Sequence, residues 1–490
     1  GGEVQHTGVI PFLKKFESTV RCCTQNGVRG GSATVHFPIW HQEIEDIIVL
    51  KNNKGSEISK LFYERFLKNE DITLFSPHEV PGLYEAFGTE KFDELYEQYE
   101  RAYSVPKTKV NAQTLFMELL KERAETGRIY IMNIDHCNSH SSFIEEESKI
   151  NMSNLCQEIT LPTEPLQSPS DTKGEIALCI LSAINVGQLT TDLKDLPELC
   201  DLAVRALDEV IDYQRYPVPA AEHSTVNRRS LGIGYIGLAH FLAKNKVKYD
   251  DKEAHDLVHK LSEHFQFNLI KTSVELAKEK GACGYYNQTK YHQGLLPIDH
   301  YKKDVDELVK PDYECDWESL REEVIKHGMR NSTLSAQMPS ESSSVVSNET
   351  NGIEPPRDYL SIKKSKKGPL KQIVPGYPHL KNNYTLLWDM PSNDGYIKVV
   401  SIMQKFFDQA ISGNWSYNPE NYDNNEVPLS EMAKDMLNTY KYGWKTSYYQ
   451  NTYDSKTDED IEDDTTAKDI VSNDNYEDFD DEEDCEACAI

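Results

Sequence analysis

The segment Asn-Leu-Cys-Gln-Glu at residues 154–158 brings three chemically useful side chains into a short stretch. Asn154, Cys156 and Glu158 occupy every second position. If the segment is extended, the three side chains project from one face, because successive residues of a strand point to opposite sides. An amide, a thiol and a carboxylate would then provide a hydrogen-bond donor, a reactive sulfur and a proton acceptor. The alternative is that Cys156 is a small buried hydrophobic residue, and the local sequence does not decide between the two.

A second thiol pair lies near the end of the sequence. Cys485 and Cys488 are separated by two residues within a strongly acidic stretch. This CxxC spacing lowers the pKa of one thiol and supports disulfide exchange. The surrounding sequence offers nothing to pack against, and a metal site would need ligands from elsewhere. A redox role is therefore the favoured interpretation.

Residues 339–348, Pro-Ser-Glu-Ser-Ser-Ser-Val-Val-Ser-Asn, have the composition of a helix N-terminus. Ser340 is the expected N-cap residue. Free backbone N–H groups and hydroxyls at such a position also suit a phosphate group. On the local sequence alone, simple capping is the favoured interpretation.

Two adjacent aromatic residues, Tyr448 and Tyr449, stand just before the acidic stretch. They can serve as aromatic anchors that close the folded part of the chain, because large rings bury much apolar surface. They can also be redox-active tyrosines. The local sequence favours anchors.

Three further patterns are interpreted as structural. Gly232, Gly234 and Gly237 form a G-x-G-x-x-G pattern, but the preceding residues do not resemble a strand and no acidic residue follows at the expected distance. We expect these glycines to allow close packing of helices. The His-Cys-x-x-His cluster at 136–140 lacks a second ligand pair at zinc-finger spacing, and the adjacent cysteines at 22–23 suit a single ion poorly.

The composition indicates a globular protein with an acidic end. The 490 residues carry 81 acidic and 52 basic side chains, a net charge of −29. Residues 454–490 hold 17 acids and 2 bases, so −15 of that charge lies there. No basic region predicts nucleic-acid binding, and no apolar stretch approaches the roughly 20 residues of a membrane span. Ten cysteines in so long a chain favour free thiols in a reducing cytoplasm.

The elements that must position these residues follow an alternating pattern. Strand-like apolar runs at 34–40, 47–51, 128–134, 158–161 and 176–184 alternate with amphipathic helical segments. One of these helical segments begins at residue 112 and is predicted to end at Gly127, since a glycine often marks the end of a helix. Such alternation predicts an α/β fold, either a barrel or a doubly wound sheet.

The domain boundaries are predicted from changes in this pattern. We expect an α/β domain over 1–290, a smaller α+β domain over 291–452 and a disordered acidic tail over 453–490.

Together these segments resemble one family, the large catalytic subunit of class I ribonucleotide reductase of the aerobic bacterial and phage type. The resemblance covers nearly the whole chain and corresponds to roughly the C-terminal two-thirds of that subunit. It implies the later part of a ten-stranded α/β barrel, then a smaller α+β domain. It is carried by the stretches RGGSATVHFPIWHQEIE, EDITLFSPHEVPGLYEAF, TGRIYIMNIDHCNSHSSF, SNLCQEITLPTEPL, GEIALCILSAINVG, RNSTLSAQMPSESSSVVSNETNGIEPPR and YKYGWKTSYYQNT, with the cysteine tail.

The resemblance also implies roles for the candidate residues. Cys156, at the tip of a loop inside the barrel, would be the thiyl radical that abstracts hydrogen from the ribose 3′ carbon. Asn154 and Glu158 would hydrogen-bond the ribose, and Glu158 would take the 3′-hydroxyl proton. Cys179 would be one of two thiols that reduce the 2′ position and form a disulfide. The strand that carries the second thiol is absent from this sequence.

Substrate binding, radical transfer and re-reduction are implied at three other segments. Tyr449 and then Tyr448 would relay the radical from a small subunit to Cys156. Cys485 and Cys488 would re-reduce the active-site disulfide and pass the oxidation to a thioredoxin or glutaredoxin. The substrate diphosphate would bind at the helix N-terminus formed by Ser340, Glu341, Ser342 and Ser343.

The same resemblance defines the expected partners. The chain is expected to bind no metal or cofactor, because it lacks the paired Glu and Glu-x-x-His helices of a di-iron site. A metal-containing small subunit would supply the radical. Nucleoside diphosphates, a thioredoxin or glutaredoxin, an N-terminal part of the large subunit and a second large subunit in a homodimer complete the set. Nucleic-acid and membrane partners are not expected, and the predicted location is the cytoplasm. The products would serve DNA synthesis under allosteric control.

The sequence departs from the family pattern at three places. It begins without Met or a signal peptide and lacks the family's ATP-binding cone, so turnover would require a separate N-terminal polypeptide or a longer parent chain. A stretch with an arginine-bearing loop, which links effector identity to substrate choice, is missing after Gly55. The tail pair is spaced more closely than in many bacterial relatives. The alternatives are a non-catalytic remnant of this subunit and a thiol oxidoreductase acting through the tail pair.

Overall fold

The computed structural model describes residues 7–25, 29–178, 180–365 and 368–454. Its α-helices are α1 (Ile10–Arg21), α2 (Ile44–Ile48), α3 (Lys60–Lys68), α4 (Leu83–Ala86), α5 (Phe92–Arg101), α6 (Ala112–Thr126), α7 (Ile134–Ser139), α8 (Leu196–Tyr213), α9 (Pro219–Arg228), α10 (Leu238–Lys244), α11 (Lys252–Lys280), α12 (Trp317–His327), α13 (Glu341–Val346), α14 (Asp394–Phe406) and α15 (Leu429–Lys441). Its strands are β1 (Thr24–Gln25), β2 (Arg29–Gly30), β3 (Val35–Pro38), β4 (Lys54–Ile58), β5 (Asp71–Leu74), β6 (Thr108–Asn111), β7 (Ile129–Asn133), β8 (Leu181–Asn185), β9 (Gly232–Ile236), β10 (Leu360–Ser365), β11 (Gly368–Ile373), β12 (Trp415–Tyr417), β13 (Thr446–Ser447) and β14 (Gln450–Thr452).

A four-stranded sheet in the order β13-β7-β4-β3 forms one wall of the molecule. Strands β3, β4 and β7 run parallel, and β13 pairs with β7 in the antiparallel direction. All five residues of β4 and all five of β7 are buried, as expected for parallel strands covered on both faces. The register places Gly55 beside His36 on β3 and beside Tyr130 on β7.

Strand β4 contains Gly55, after which the resemblance predicts a missing stretch. Gly55 is the second residue of the strand, and the pairing with β7 continues from Lys54 to Ile58 without a break. The sequence around Gly55 therefore forms a regular parallel strand.

A second set of parallel neighbours starts with β8 and β9. Bridges from Ile233 to Ser335 and from Gln337 to Ile411 extend this set across two further segments. The long helix α11 packs against α8 and α14. Within the described ranges the sheets remain separate, and they do not close into a barrel.

The helix predictions from periodicity agree well with the structure. The segment predicted to end at Gly127 is α6, which begins where the Asn111 side chain accepts a hydrogen bond from the Thr114 N–H and ends at Gly127 with φ +67°. An Asn N-cap and a left-handed glycine are the usual signals for these two ends.

Two of the strand predictions are wrong. The run at 47–51 overlaps the end of α2, whose Ile44, Ile47 and Ile48 are buried. A short apolar run does not by itself distinguish a strand from a buried helical turn. Residues 158–161 form no strand, and the run at 176–184 contributes a strand only from Leu181 onward.

One continuous hydrophobic core includes side chains from Leu13 to Trp444 and crosses the predicted boundary at residue 290. The division into domains 1–290 and 291–452 therefore stays a prediction. The predicted tail lies outside the described residues from 455 onward. None of the described helices combines the length and the apolar character needed to cross a membrane.

Candidate functional site

The segment 154–158 forms a tight turn with Cys156 in it, so the condition for the alternating arrangement, an extended backbone, is not met. Gln157 has φ +67°, the left-handed region. The Asn154 side-chain oxygen accepts hydrogen bonds from the backbone N–H groups of Glu158 and Ile159, both at 3.1 Å. Asn side chains often compete in this way with regular backbone pairing. These hydrogen bonds hold the Asn154 side chain against the backbone of Glu158. The two residues therefore lie close together because of the turn, and not because side chains alternate along a strand.

Glu158 is a buried carboxyl group with a shifted pKa. Burial raises its pKa to about 7, although hydrogen bonds from Asn154 and Ser412 oppose the shift. The Ser412 hydroxyl donates to Glu158 Oε2 at 3.3 Å, and the Ala410 N–H donates to the Glu158 carbonyl at 3.0 Å. A carboxyl group with a pKa near neutrality can both accept and return a proton, which suits general acid–base chemistry.

Cys156 lies in a small apolar cluster with two buried tyrosines, Tyr130 and Tyr448, and with the half-buried Leu155 and Tyr449. The Cys156 side chain is 8% exposed. Its sulfur is disulfide-bonded in this structure, so a free thiol at this position requires reduction.

The three tyrosine rings of this cluster are in mutual contact. The ring centroids of Tyr448 and Tyr449 are 4.1 Å apart. Tyr130 lies 4.8 Å from Tyr448 and 5.6 Å from Tyr449. The arrangement forms a continuous aromatic path that ends at Cys156.

Arg123 binds the backbone of the tyrosine pair, Tyr448 and Tyr449. Its guanidinium donates to the carbonyl oxygens of Tyr448 at 2.6 Å and Tyr449 at 3.2 Å, and to that of Ile129. The same group lies 4.3 Å from the ring centre of Trp415, a cation–π distance. Burial lowers the pKa of Arg123 to about 10. Neither Arg123 nor Tyr130 was predicted from the sequence. Tyr130 lies in the predicted strand-like run 128–134 and pairs with Gly55 of β4.

The segment 410–414 joins the turn to the tyrosine pair. Ser412 contacts Glu158, the Tyr448 N–H donates to the Gly413 carbonyl at 2.7 Å, and the Tyr449 N–H donates to the Asn414 side chain at 3.0 Å. These bonds hold the carboxyl group, the sulfur and the tyrosines in one rigid assembly.

The predicted phosphate-binding segment forms a helix N-terminus, as expected. Helix α13 begins at Glu341, and Ser340 is its N-cap residue. However, the Ser340 hydroxyl donates to the Met338 carbonyl and makes no cap hydrogen bond, so the prediction of simple side-chain capping is wrong. The backbone connects this helix to the site, because the Gln337 N–H donates to the Ala410 carbonyl.

A cavity of about 1260 Å³ opens beside the turn and is lined in part by Asn154. Seven glutamates but only two lysines line it. An anionic phosphate would be repelled by this lining.

Comparison with known proteins places the chain among its relatives. A family model described as "Ribonucleotide reductase, barrel domain" matches residues 1–450. A ribonucleoside-diphosphate reductase subunit alpha from Haemophilus influenzae is 55% identical over 479 residues, covering 94% of this chain and 63% of that protein. The Escherichia coli K12 subunit 1 alpha is 54% identical over 472 residues, covering 94% of this chain and 62% of its own length. The phage T4 subunit alpha is 45% identical over 507 residues, covering 100% of this chain and 65% of the phage protein.

The chain belongs to the ribonucleotide reductase family. The resemblance read from the motifs is therefore confirmed, and the parallel strands described above correspond to the family's barrel domain. The chain spans less than two thirds of the length of these curated relatives.

Three residues predicted for this reductase chain lie outside the described residues, namely Cys179, Cys485 and Cys488. Their proposed redox roles stay predictions. In the described part of the chain, Asn154, Cys156, Glu158 and both tyrosines form one site.

The three glycines of the G-x-G-x-x-G pattern have a different role from the one predicted. Gly232 and Gly234 lie within strand β9, and Gly237 follows it with φ +79°. A Cβ atom at Gly234 would approach the Ala336 carbonyl oxygen to 2.7 Å. The glycine at 234 thus allows close approach of the neighbouring segment that contains Ala336, whereas we expected helix packing.

In the His-Cys-x-x-His cluster, His136 and Cys137 are buried and His140 is half-buried, in agreement with the structural interpretation. His136 Nδ1 contacts the Trp444 carbonyl at 2.9 Å, and His140 Nδ1 contacts the His300 carbonyl. Cys137 is a free, fully buried cysteine.

Among the described residues, Glu263, His264 and Cys315 have ligand atoms close enough to hold a metal ion. However, the Glu263 carboxylate already accepts the N–H groups of Glu314, Cys315 and Trp317. It stabilises the backbone ahead of α12, and this structural role accounts for its position.

Proposed function

We propose that this chain is the C-terminal catalytic part of a ribonucleoside-diphosphate reductase, which converts ribonucleoside diphosphates to 2′-deoxyribonucleoside diphosphates for DNA synthesis. The observation that carries the proposal is the convergence of Cys156, Glu158 and the tyrosine pair in one buried site. An isolated buried cysteine would not require an aromatic path or a carboxyl group with a raised pKa.

In the proposed reaction, Cys156 acts as a thiyl radical that removes the hydrogen atom from the ribose 3′ carbon. Glu158, whose pKa of about 7 leaves part of the population ionised at neutral pH, accepts the 3′-hydroxyl proton. Asn154 orients the ribose, and Cys179 supplies one of the two thiols that reduce the 2′ position. Burial of the site excludes water, which would otherwise quench the radical.

The remaining roles concern delivery of substrate, radical and electrons. Tyr449 and Tyr448 pass the radical from a metal-containing small subunit to Cys156, and the contact between their rings supports transfer between the two. The N-terminus of α13 at 340–343 receives the diphosphate through backbone N–H groups and hydroxyls. Cys485 and Cys488 re-reduce the active-site disulfide and exchange it with a thioredoxin or glutaredoxin. An N-terminal part of the subunit and a second large subunit complete the assembly, in the cytoplasm.

The test is reduction of CDP by the reconstituted system. The mixture contains this chain, an N-terminal large-subunit part, a radical-bearing small subunit and a dithiol reductant, which also frees the Cys156 thiol. We expect dCDP from the wild-type chain and none from Cys156→Ser. Cys200→Ser is the matched control, because Cys200 is buried on α8 and its sulfur donates to the Phe265 carbonyl. This variant should keep activity.

Two outcomes would contradict the proposal. If the parts associate but no dCDP forms, the chain is a non-catalytic remnant. If a dithiol reporter is reduced without nucleotide and the activity survives Cys156→Ser, the chain is a thiol oxidoreductase that acts through its tail pair.

A further inference from the structure

The turn that carries Cys156 depends on one strained residue. Gln157 is held with φ +67°, a conformation that costs a non-glycine residue about 1 kcal/mol or more. Such residues persist only where surrounding contacts impose the geometry. Here the Gln157 N–H donates to the Asn154 carbonyl at 3.2 Å, and its own carbonyl accepts the Thr446 hydroxyl at 2.6 Å.

The Gln157 side chain folds back onto the same turn. Its amide nitrogen donates to the Asn154 carbonyl at 2.8 Å and lies 3.1 Å from Nε2 of His36 on strand β3. A side-chain amide nitrogen has two protons, so both contacts can form at once. The His36 ring therefore determines the orientation of the amide that closes the turn.

Strand β4 makes room for the His36 ring. A Cβ atom at Gly55 would lie 2.4–2.9 Å from three atoms of that ring, and real Cβ atoms do not approach so closely. Only glycine at this position lets the imidazole reach Gln157.

The hydrogen bonding also defines the protonation state of the ring. Because the Gln157 amide donates to Nε2, that nitrogen is the acceptor, and the ring proton lies on Nδ1. Nδ1 is 4.0 Å from Glu57 Oε1, and both groups are almost fully buried. Burial lowers the pKa of His36 to about 4 and raises that of Glu57 to about 8. The ring is thus neutral and able to accept a hydrogen bond at neutral pH.

We propose that His36 is a positioning residue for the catalytic turn: by accepting a hydrogen bond from Gln157, it holds the left-handed conformation that places Cys156 beside Glu158. The consequence for turnover rests on the proposed reductase activity, whereas the consequence for the turn does not.

The first test measures the turn itself, by hydrogen exchange of the peptide 153–160 in the reduced full chain. His36→Phe keeps a ring but removes the acceptor. The Glu158 and Ile159 amides, which bond Asn154, should then exchange about tenfold faster, because a buried hydrogen bond is lost. His36→Gln places an oxygen where Nε2 stood and should restore protection to within about threefold. His255→Phe, the same change at a buried histidine of α11, should leave the peptide unaffected.

Two backbone variants separate positioning from simple packing. Gly55→Ala displaces the ring without altering His36 or Gln157 and should reproduce the loss of protection. Gln157→Gly adopts the left-handed conformation without strain. In that background, adding His36→Phe should change exchange by less than about twofold.

Turnover is measured in the reconstituted CDP assay with the same variants. We expect His36→Phe to lower kcat about tenfold with little change in KM, and Gln157→Gly to remove most of that dependence on His36. The inference would be overturned if His36→Phe lowered kcat equally in the wild-type and Gln157→Gly backgrounds. It would also be overturned if amide exchange of the turn were unchanged in His36→Phe. A wild-type chain that makes no dCDP would refute the proposed function instead, and the exchange experiment would still decide the role of His36.

Discussion

Replacement of Glu158 by glutamine should stabilise the chain at alkaline pH and leave its stability nearly unchanged in acid. The Glu158 side chain is 2% exposed, and burial raises its pKa from 4.5 to about 7. The buried protonated form is accommodated easily, whereas the buried carboxylate is not. Glutamine has the shape of the protonated acid and never ionises.

The size of the effect follows from the two pKa values. Below pH 4.5 the carboxyl is largely protonated in both states, so the wild type and the variant have similar free energies of unfolding. Between 4.5 and about 7 the unfolded chain ionises first, and stability of the wild type falls by about 1.4 kcal/mol per pH unit. Above the folded pKa both states are ionised and the loss levels off. The variant should therefore gain about 3 kcal/mol at pH 8 and less than about 0.5 kcal/mol at pH 4.5.

The assay is urea unfolding of both proteins from pH 4.5 to 9, plotted as the difference in free energy. Glu57→Gln is the matched control, because burial raises the pKa of Glu57 to about 8. The difference in unfolding free energy between Glu57→Gln and the wild type should therefore still rise with pH above 7, where the difference for Glu158→Gln has levelled off. A difference that does not vary with pH would refute the assignment of Glu158 as a buried acid with a raised pKa. In the reconstituted reductase, the stabilised Glu158→Gln variant should be inactive, since it cannot accept a proton.

Three further changes test the packing around the site. Arg123→Met should lower the free energy of unfolding by about 3 kcal/mol, because the carbonyls of the tyrosine pair lose a charged donor. Urea titration measures this loss, and a loss below about 1 kcal/mol would argue against the anchoring role of Arg123. Arg228→Met or Glu175→Gln alone should cost about 3–5 kcal/mol, because each leaves half of a buried ion pair with a 2.7 Å contact; the double variant should cost less than the sum of the two, and additive losses would contradict the pairing. Gly234→Ala should lower the melting temperature, because its Cβ meets the Ala336 carbonyl oxygen; an unchanged melting curve would show that the neighbouring segment can shift.

The sequence predicted the parts of the molecule that depend on local chemistry. Helix α6 was placed correctly because Gly127 marks its end and its apolar residues recur with helical spacing. The side-chain types at 154–158 could be interpreted from the sequence, but the conformation of the segment could not, since periodicity gives no sign that Gln157 adopts a positive φ or that the Asn154 side chain accepts the backbone N–H groups of its own turn. The alternation rule holds only for an extended segment, and it does not apply here because the Asn154 side chain accepts the backbone N–H groups of Glu158 and Ile159.

Long-range partners were beyond the reach of sequence patterns. Arg123 and Tyr448 are 325 positions apart and meet only because β13 pairs with β7. Tyr130 carries no local signal that separates it from any other aromatic residue of a buried strand. The isoleucines at 47–48 were assigned to a strand because a short apolar run fits either structure, and the packing of α2 decided the outcome.

Because β13 pairs with β7 from a distant part of the sequence, the site can be assembled only after β13 has been synthesised. The turn with Cys156 leaves the ribosome about 290 residues before Tyr448 and Tyr449, and at roughly 5–20 residues per second that is an interval of about 15–60 seconds. During that time the nascent chain holds a reactive cysteine with no tyrosine beside it. The contact between Cys156 and the tyrosine pair is thus completed late in synthesis. If the pair relays a radical as proposed, an incompletely translated chain has no route by which to receive one.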